Sequence, residues 1–289
     1  MEKKLNRVAK DTNIFLTKYL SKQKKTNLLY PMRYGLLPGG KKIRAKIIVD
    51  IGKIFSVNYK TLIHISAAVE CIHAYSLIHD DLPCMDDDIL RRGKLTAHKK
   101  FGESTAILAG NSLLTIAFEI LTEKNLNLKN ETKIELIKLI SKCSGHSGIA
   151  GGQYSDLSFE KKKISLKKTI SMQINKTGKL FSFCCMAPLL VKKKKRYLKR
   201  FESIGLNIGL LFQISDDLID LKSTSKKAGK KTKKDLKKGK ATLINLLGYE
   251  NTIKYAERLK MEIFKNLSIF EKKSNDLKKT INFITERSK

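Results

Sequence analysis

The 289-residue chain is 42% apolar, enough for a real core and too apolar for wholesale disorder. Its formal charge of +32, from 59 Lys and Arg against 27 Asp and Glu, first suggests a nucleic-acid partner. No interleaved aromatics, RNP-type motif or zinc-finger spacing accompanies that charge, so no nucleic-acid partner is expected. The excess is mostly lysine, dense at 192–195 and 226–240, and predicts a solvated basic surface that attracts polyanionic substrates.

Only four prolines, with abundant Leu, Ile, Lys and Ala, predict a mostly helical protein. The cysteines at 71, 84, 143, 184 and 185 are odd in number and lack a CxxC pair, which fits reduced thiols in a cytoplasmic protein. The first ten residues lack the apolar core of a signal peptide. The apolar stretch 180–191 is about 12 residues long and contains Pro188, too short to cross a bilayer. The expectation is a soluble protein without a transmembrane segment.

Along the chain, the first punctuation is Pro38-Gly39-Gly40, followed by Lys41, Lys42 and Arg44, a glycine turn with cations suited to a diphosphate. Leu62, Ile65, Ser66, Val69, Ile72 and His73 recur at helical spacing, and this helix is apolar nearly all round until its last turn. It therefore belongs inside a bundle, and it ends in acids: Asp80, Asp81, then Asp86, Asp87 and Asp88. Unpaired buried carboxylates cost several kcal/mol each, and a hard divalent cation sharing substrate phosphates removes that cost. Asp80 and Asp86 lie about 240° apart on an ideal helix, so Pro83 must break the turn to bring Asp86 round. Arg91 and Arg92 follow at once, forked donors for phosphate oxygens in a chain where arginine is scarce.

His73 and His79 read either as core histidines or as phosphate donors, and Tyr75 either as core or as the floor of a pocket. Further breaks fall at Gly93, Gly145–Gly152 and between Ser223 and Gly239. Helical periods recur at 134–140, 201–214 and 253–264. Lys176, Thr177, Lys230 and Lys240 offer more polar contacts. The second apolar helix, 204–221, closes in Asp216, Asp217 and Asp220, with Asp216 and Asp220 on one face. Acids at a helix C-terminus oppose the macrodipole and again ask for a cation. Gln213, one turn earlier, reads as a satisfied amide or as a donor to a diphosphate. No alternating strand or Asn-Gly hairpin appears, so roughly ten helices in a single all-α domain over 1–289 are expected.

The stretch 69–92, VECIHAYSLIHDDLPCMDDDILRR, resembles the first aspartate-rich motif of the short-chain trans-polyprenyl diphosphate synthases, and FQISDDLID (212–220) resembles their second. GGKKIR (39–44), HKKFG (98–102), ILAGNSLL (107–114), GGQYSD (151–156) and NKTG (175–178) follow in the family's order. The resemblance implies an all-α bundle of the isoprenoid synthase type around a central cavity, normally a homodimer, and a prenyltransferase using Mg2+, about three ions per site. It implies metal binding by Asp80, Asp86 and Asp216, with Asp220 acting through water. It implies contacts to the allylic diphosphate from Arg91, Lys176, Thr177, Gln213 and Lys230, and an isopentenyl diphosphate site of Lys41, Arg44, His73 and Arg92.

Tyr75 just upstream of a motif with two extra residues resembles the bacterial farnesyl diphosphate synthases and implies a fifteen-carbon product. Geranylgeranyl or geranyl synthases and a non-catalytic partner subunit are the alternatives. Two positions depart from the family pattern, Asn111 in place of Asp and Ala45 in place of Pro.

Overall fold

The computed structural model describes residues 1–37, 39–160, 162–227 and 242–286. Lys230 and Lys240 lie outside the described residues, as does Pro38. The chain divides into two compact units, Met1–Ile137 with Leu190–Lys192, and Lys138–Leu189 with Lys193–Lys289.

In the first unit, α1 (Glu2–Ser21), α2 (Leu29–Leu36), α3 (Ile43–Ile54) and α6 (Glu103–Thr122) surround the 22-residue α4 (Tyr59–Asp80). The Asn58 side chain caps α4 by accepting from the Lys60 amide, satisfying one of the orphan donors of the first turn. Leu62, Ile65, Ser66, Val69 and Ile72 are all buried, and so are residues on the opposite side such as Ile63, Ala67 and Cys71. A helix apolar all round has no solvent face to offer, so α4 becomes the axis of this unit. It approaches α6 closely because Gly110 has no side chain: a Cβ there would lie 2.2 Å from His79 Nε2. The short helix α5 (Ala97–Phe101) leads into α6.

The second unit is arranged around the 30-residue α11 (Leu198–Lys227). Its helical period buries Phe201, Ile204, Ile208, Leu211 and Ile214. Around it stand α8 (Ile149–Phe159), α9 (Leu166–Gln173), a π turn (Ile174–Gly178), α12 (Leu243–Leu247), α13 (Tyr249–Leu267) and α14 (Asn275–Glu286). The helices α7 (Asn130–Ser144) and α10 (Lys179–Val191) run across the division, and Pro188 lies inside α10. Leu243 and Leu259 close one cluster against Leu210, Ile214 and Leu218. Leu277, Ile281 and Ile284 bury the inner face of α14.

The all-α class holds, with three corrections to the sequence reading. Among the described residues there are fourteen α-helices rather than about ten, because short helices such as α5 and α12 escape periodicity. A two-stranded hairpin is present, β1 (Leu90–Arg91) with β2 (Lys94–Leu95), too short to alternate visibly. Finally, α11 continues to Lys227, so the second acid cluster lies inside a helix and not at its end. The macrodipole therefore opposes only the first cluster. Two helices, α4 and α6, are long and apolar enough to cross a bilayer by length and composition, a property the stretch 180–191 lacked. In α4, 67% of the apolar window is buried, as its place in the core requires; in α6 the figure is 44%, leaving Ile107 and Leu108 exposed.

Candidate active site

The first acid cluster is shaped by the way α4 stops. Beyond Asp81 the chain turns through Pro83, with the Met85 amide donating to the Leu82 carbonyl at 2.9 Å. The Asp86 amide then donates to the Asp80 carbonyl at 2.8 Å, and the Asp88 amide to that of Asp81 at 3.2 Å. These bonds satisfy carbonyls that the last helical turn leaves orphaned. They also bring Asp86 back beside Asp80 by the break at Pro83 that their six-residue spacing demands. Asp87 takes a left-handed backbone (φ 47°) to make the return possible.

Asp81 turns the other way. It is 2% exposed, and its Oδ1 accepts from Arg91 Nε at 2.6 Å and Nη2 at 2.5 Å. Burial raises the Asp81 carboxyl, while the Arg91 guanidinium pulls it back down. Arg91 thus reaches the site with two nitrogens already committed, with Asp88 3.7 Å from Nη2. The hairpin carrying it turns through Arg92 (φ 52°) and Gly93 (φ 75°), the two positive values a two-residue hairpin loop of the primed type needs. Arg92 Nη1 donates to the Gly39 carbonyl at 3.0 Å. Gly40 takes φ 87°, a backbone conformation that favours glycine.

The same glycine turn sorts two neighbouring lysines. Lys42, left-handed at φ 48°, points inward, pairs with Glu70 at 3.3 Å and donates to the Leu36 carbonyl at 3.1 Å. Lys41 stays exposed, and Arg44 is half-buried in the first turn of α3. His73 lies among these cations. Burial drives its imidazole well below the usual histidine range, and Arg44, Arg92, Lys42 and Arg91 push it further. A neutral imidazole ringed by cations marks a place where an anion is favoured.

The folded His73 therefore binds fewer protons than the unfolded one below pH 6.5. Stability from this group is complete above that pH and falls as pH drops below it. The loss is expected to approach about 1.4 kcal/mol per pH unit. Urea unfolding at pH 5 and 7 checks this, with His73→Gln expected to flatten the difference.

Tyr75 is 9% exposed, one turn and a half above Asp80, and meets His79 edge to face at 5.3 Å. Burial and the Asp80 charge both raise its hydroxyl. His79, half-buried, donates from Nε2 to the Ile107 carbonyl at 3.1 Å.

In the second unit, the π turn presents Lys176 and Thr177. It is pressed between two glycines: a Cβ on Gly152 would lie 2.1 Å from the Lys176 amide nitrogen, and one on Gly209 2.4 Å from the Gly178 Cα. Lys176 Nζ pairs with Asp156 Oδ2 at 2.6 Å. Thr177 Oγ1 donates to Gln213 Oε1 at 3.2 Å, and Gln213 Nε2 donates to Asp217 Oδ1 at 2.9 Å. Gln213 is thus held at both ends of its amide. Asp217 is pushed up to about 7 by burial; the Gln213 bond opposes this, and the charges of Asp216, Asp220 and Asp156 add to it. On the same helix Asp216 is half-buried and Asp220 exposed.

The structure thus gathers Asp80, Asp86 and Tyr75 at the end of α4, Arg44, His73 and Arg92 around one cationic spot, and Lys176, Thr177 and Gln213 on the second unit. Lys42, grouped by sequence with the diphosphate cations, is instead committed to Glu70, and Asp81, Asp156 and Asp217 were not singled out. An acid such as Glu70 within an apolar helix was the available signal for Lys42, since it needs a buried cation. Among the described residues no three His, Cys, Asp or Glu side chains already form a metal cage. The acid side chains Asp80, Asp86, Asp216 and Asp220 offer hard oxygen donors suited to Mg2+, which ordinarily takes one or two carboxylates and completes its shell with water and phosphate.

The polyprenyl synthetase family model matches residues 25–284. The chain belongs to the polyprenyl synthetase family. Within the family it is 38% identical over 259 residues to a farnesyl diphosphate synthase of Micrococcus luteus, covering 89% of this chain and 88% of that protein. A solved farnesyl/geranylfarnesyl diphosphate synthase from Zymomonas mobilis superposes with a TM-score of 0.87 at 35% identity, over 98% of each chain. The geranyltransferase of Helicobacter pylori, solved with magnesium and isoprenyl diphosphate, gives 0.79 at 30% identity, over 98% of this chain and 96% of that one. Against the family pattern, Asn111 stands exposed on α6, and its backbone carbonyl accepts from Thr115 Oγ1 at 2.9 Å. Ala45 is fully buried in the first turn of α3.

Proposed function

We propose that this chain is a prenyltransferase that condenses isopentenyl diphosphate with dimethylallyl and then geranyl diphosphate, releasing farnesyl diphosphate and inorganic diphosphate. The observation that carries the reading is the return of Asp86 onto Asp80 at the end of a buried helix, with Tyr75 about 7.5 Å deeper along its axis. The two acids then take the diphosphate and Tyr75 closes the far end, so the distance between them sets how long a chain can grow.

In this reading Asp80, Asp86, Asp216 and Asp220 hold Mg2+, which when bound offsets the charge of the departing diphosphate. Arg91, Lys176 and Lys230 supply positive charge to the allylic diphosphate, which Thr177 and Gln213 also contact. Lys41, Arg44, His73 and Arg92 hold the diphosphate of the second substrate and so align its double bond. The allylic C–O bond breaks, the double bond of isopentenyl diphosphate attacks the cation, and a proton leaves to the released diphosphate. Apolar side chains at the end of α4 keep water from the cation. The exposed Ile107 and Leu108 on α6 support a homodimer built on that face.

Shortening Tyr75 tests the product length. Tyr75→Ala is expected to shift the main product from fifteen to twenty or more carbons, read by chromatography of labelled products. An unchanged fifteen-carbon product would remove Tyr75 as the floor. A wild-type product of twenty carbons would favour the geranylgeranyl reading.

A further inference from the structure

We propose that Asp217 is a positioning residue for prenyl transfer, holding the Gln213 side-chain amide against the π turn. The inference rests on the reading of Gln213 and Thr177 as part of the allylic side. A glutamine amide fits its space in two orientations of almost identical shape and opposite hydrogen-bonding character. Asp217 Oδ1 accepts from the Nε2 end at 2.9 Å. The Oε1 end must then face away, where the Thr177 hydroxyl donates to it at 3.2 Å. Thr177 by itself would tolerate either end, because a hydroxyl both donates and accepts. Asp217 holds the amide in the orientation that meets Thr177.

Geometry also separates Asp217 from its neighbours. It stands about 100° round the helix from Asp216, whereas Asp220 lies on nearly the same face as Asp216. One of its oxygens is committed to Gln213, and the other, Oδ2, is shut off from solvent with no partner among the described residues. Lys176, the nearest cation on the π turn, is already paired with Asp156. The first motif repeats the arrangement: Asp81, the second acid, turns inward and holds Arg91. In each motif the second acid aims a side chain of the site.

The test compares Asp217→Leu, Asp217→Asn and Gln213→Leu, with the Asp217→Leu/Gln213→Leu double variant, in the full-length protein. Asparagine keeps an acceptor for Gln213 Nε2; leucine does not. Asp217→Leu is expected to lower kcat about 10- to 100-fold, and Asp217→Asn to recover it to within about threefold. Half-saturation by Mg2+ and the KM for isopentenyl diphosphate should not move. In the Gln213→Leu background, Asp217→Leu should cost nothing further.

Independent of turnover, the Gln213 side-chain amide protons should exchange slowly in the wild type and Asp217→Asn, and fast in Asp217→Leu, by 15N NMR. That result stands even if no prenyl product forms, so failure of the functional reading is distinguishable. Losses that multiply in the double variant, or an Asp217→Asn protein needing far more Mg2+, would overturn the proposal. So would a Gln213 amide indifferent to residue 217.

Discussion

Asp80→Ala is expected to reduce prenyl transfer by about 10²- to 10³-fold, with thermal stability unchanged or slightly raised. Both halves of that expectation come from one location. Asp80 is the last residue of α4, where a negative charge opposes the macrodipole, and Asp86, Asp87 and Asp88 follow within eight residues. Removing one charge from such a cluster relieves repulsion worth a few tenths to about 1 kcal/mol. A site that costs stability and is kept for chemistry shows this signature. The check is a pair of measurements on one sample, the steady-state rate and the melting temperature. A marked fall in melting temperature with the rate preserved would make Asp80 structural.

Gly152→Ala is expected to do the reverse, destabilising by about 2–3 kcal/mol and removing activity with it. The added methyl would lie 2.1 Å from the Lys176 amide nitrogen and 2.5 Å from its Cα. These are backbone atoms that no rotamer change can move aside. Either α8 shifts or the π turn is pushed off Gly209, and both displace Lys176 and Thr177. For a chain of 289 residues the melting temperature should fall by about 4–12 °C. Loss of activity without any change in melting temperature would show that the π turn can yield cheaply.

Much of this was legible in the residues, and what was not has physical reasons. The all-round apolarity of α4 predicted its place in the core, and the six-residue spacing of Asp80 and Asp86 required the break at Pro83. The inward turn of Lys42 rather than Lys41 was not legible, because two adjacent lysines are alike until one backbone angle separates them. The π turn escaped too: Ile174–Gly178 continues a helical pattern, and its widening answers to contacts with Gly152 and Gly209, distant in sequence. The hairpin at Arg92-Gly93 carries only two residues per strand, below what alternation can reveal. The inward partners of Asp81 and Asp217 were not legible, because composition cannot say which way a carboxylate points. The end of α11 was misread because the helix runs six residues past Leu221, to Lys227.

The central claim is that the acid clusters support Mg2+-dependent condensation ending at fifteen carbons. The most direct measurement incubates the wild-type protein with isopentenyl and dimethylallyl diphosphates, with Mg2+ or with a chelator, and sizes the products. The account predicts a dominant fifteen-carbon diphosphate that disappears with the chelator. Products that persist without Mg2+, or no product at all, would contradict it.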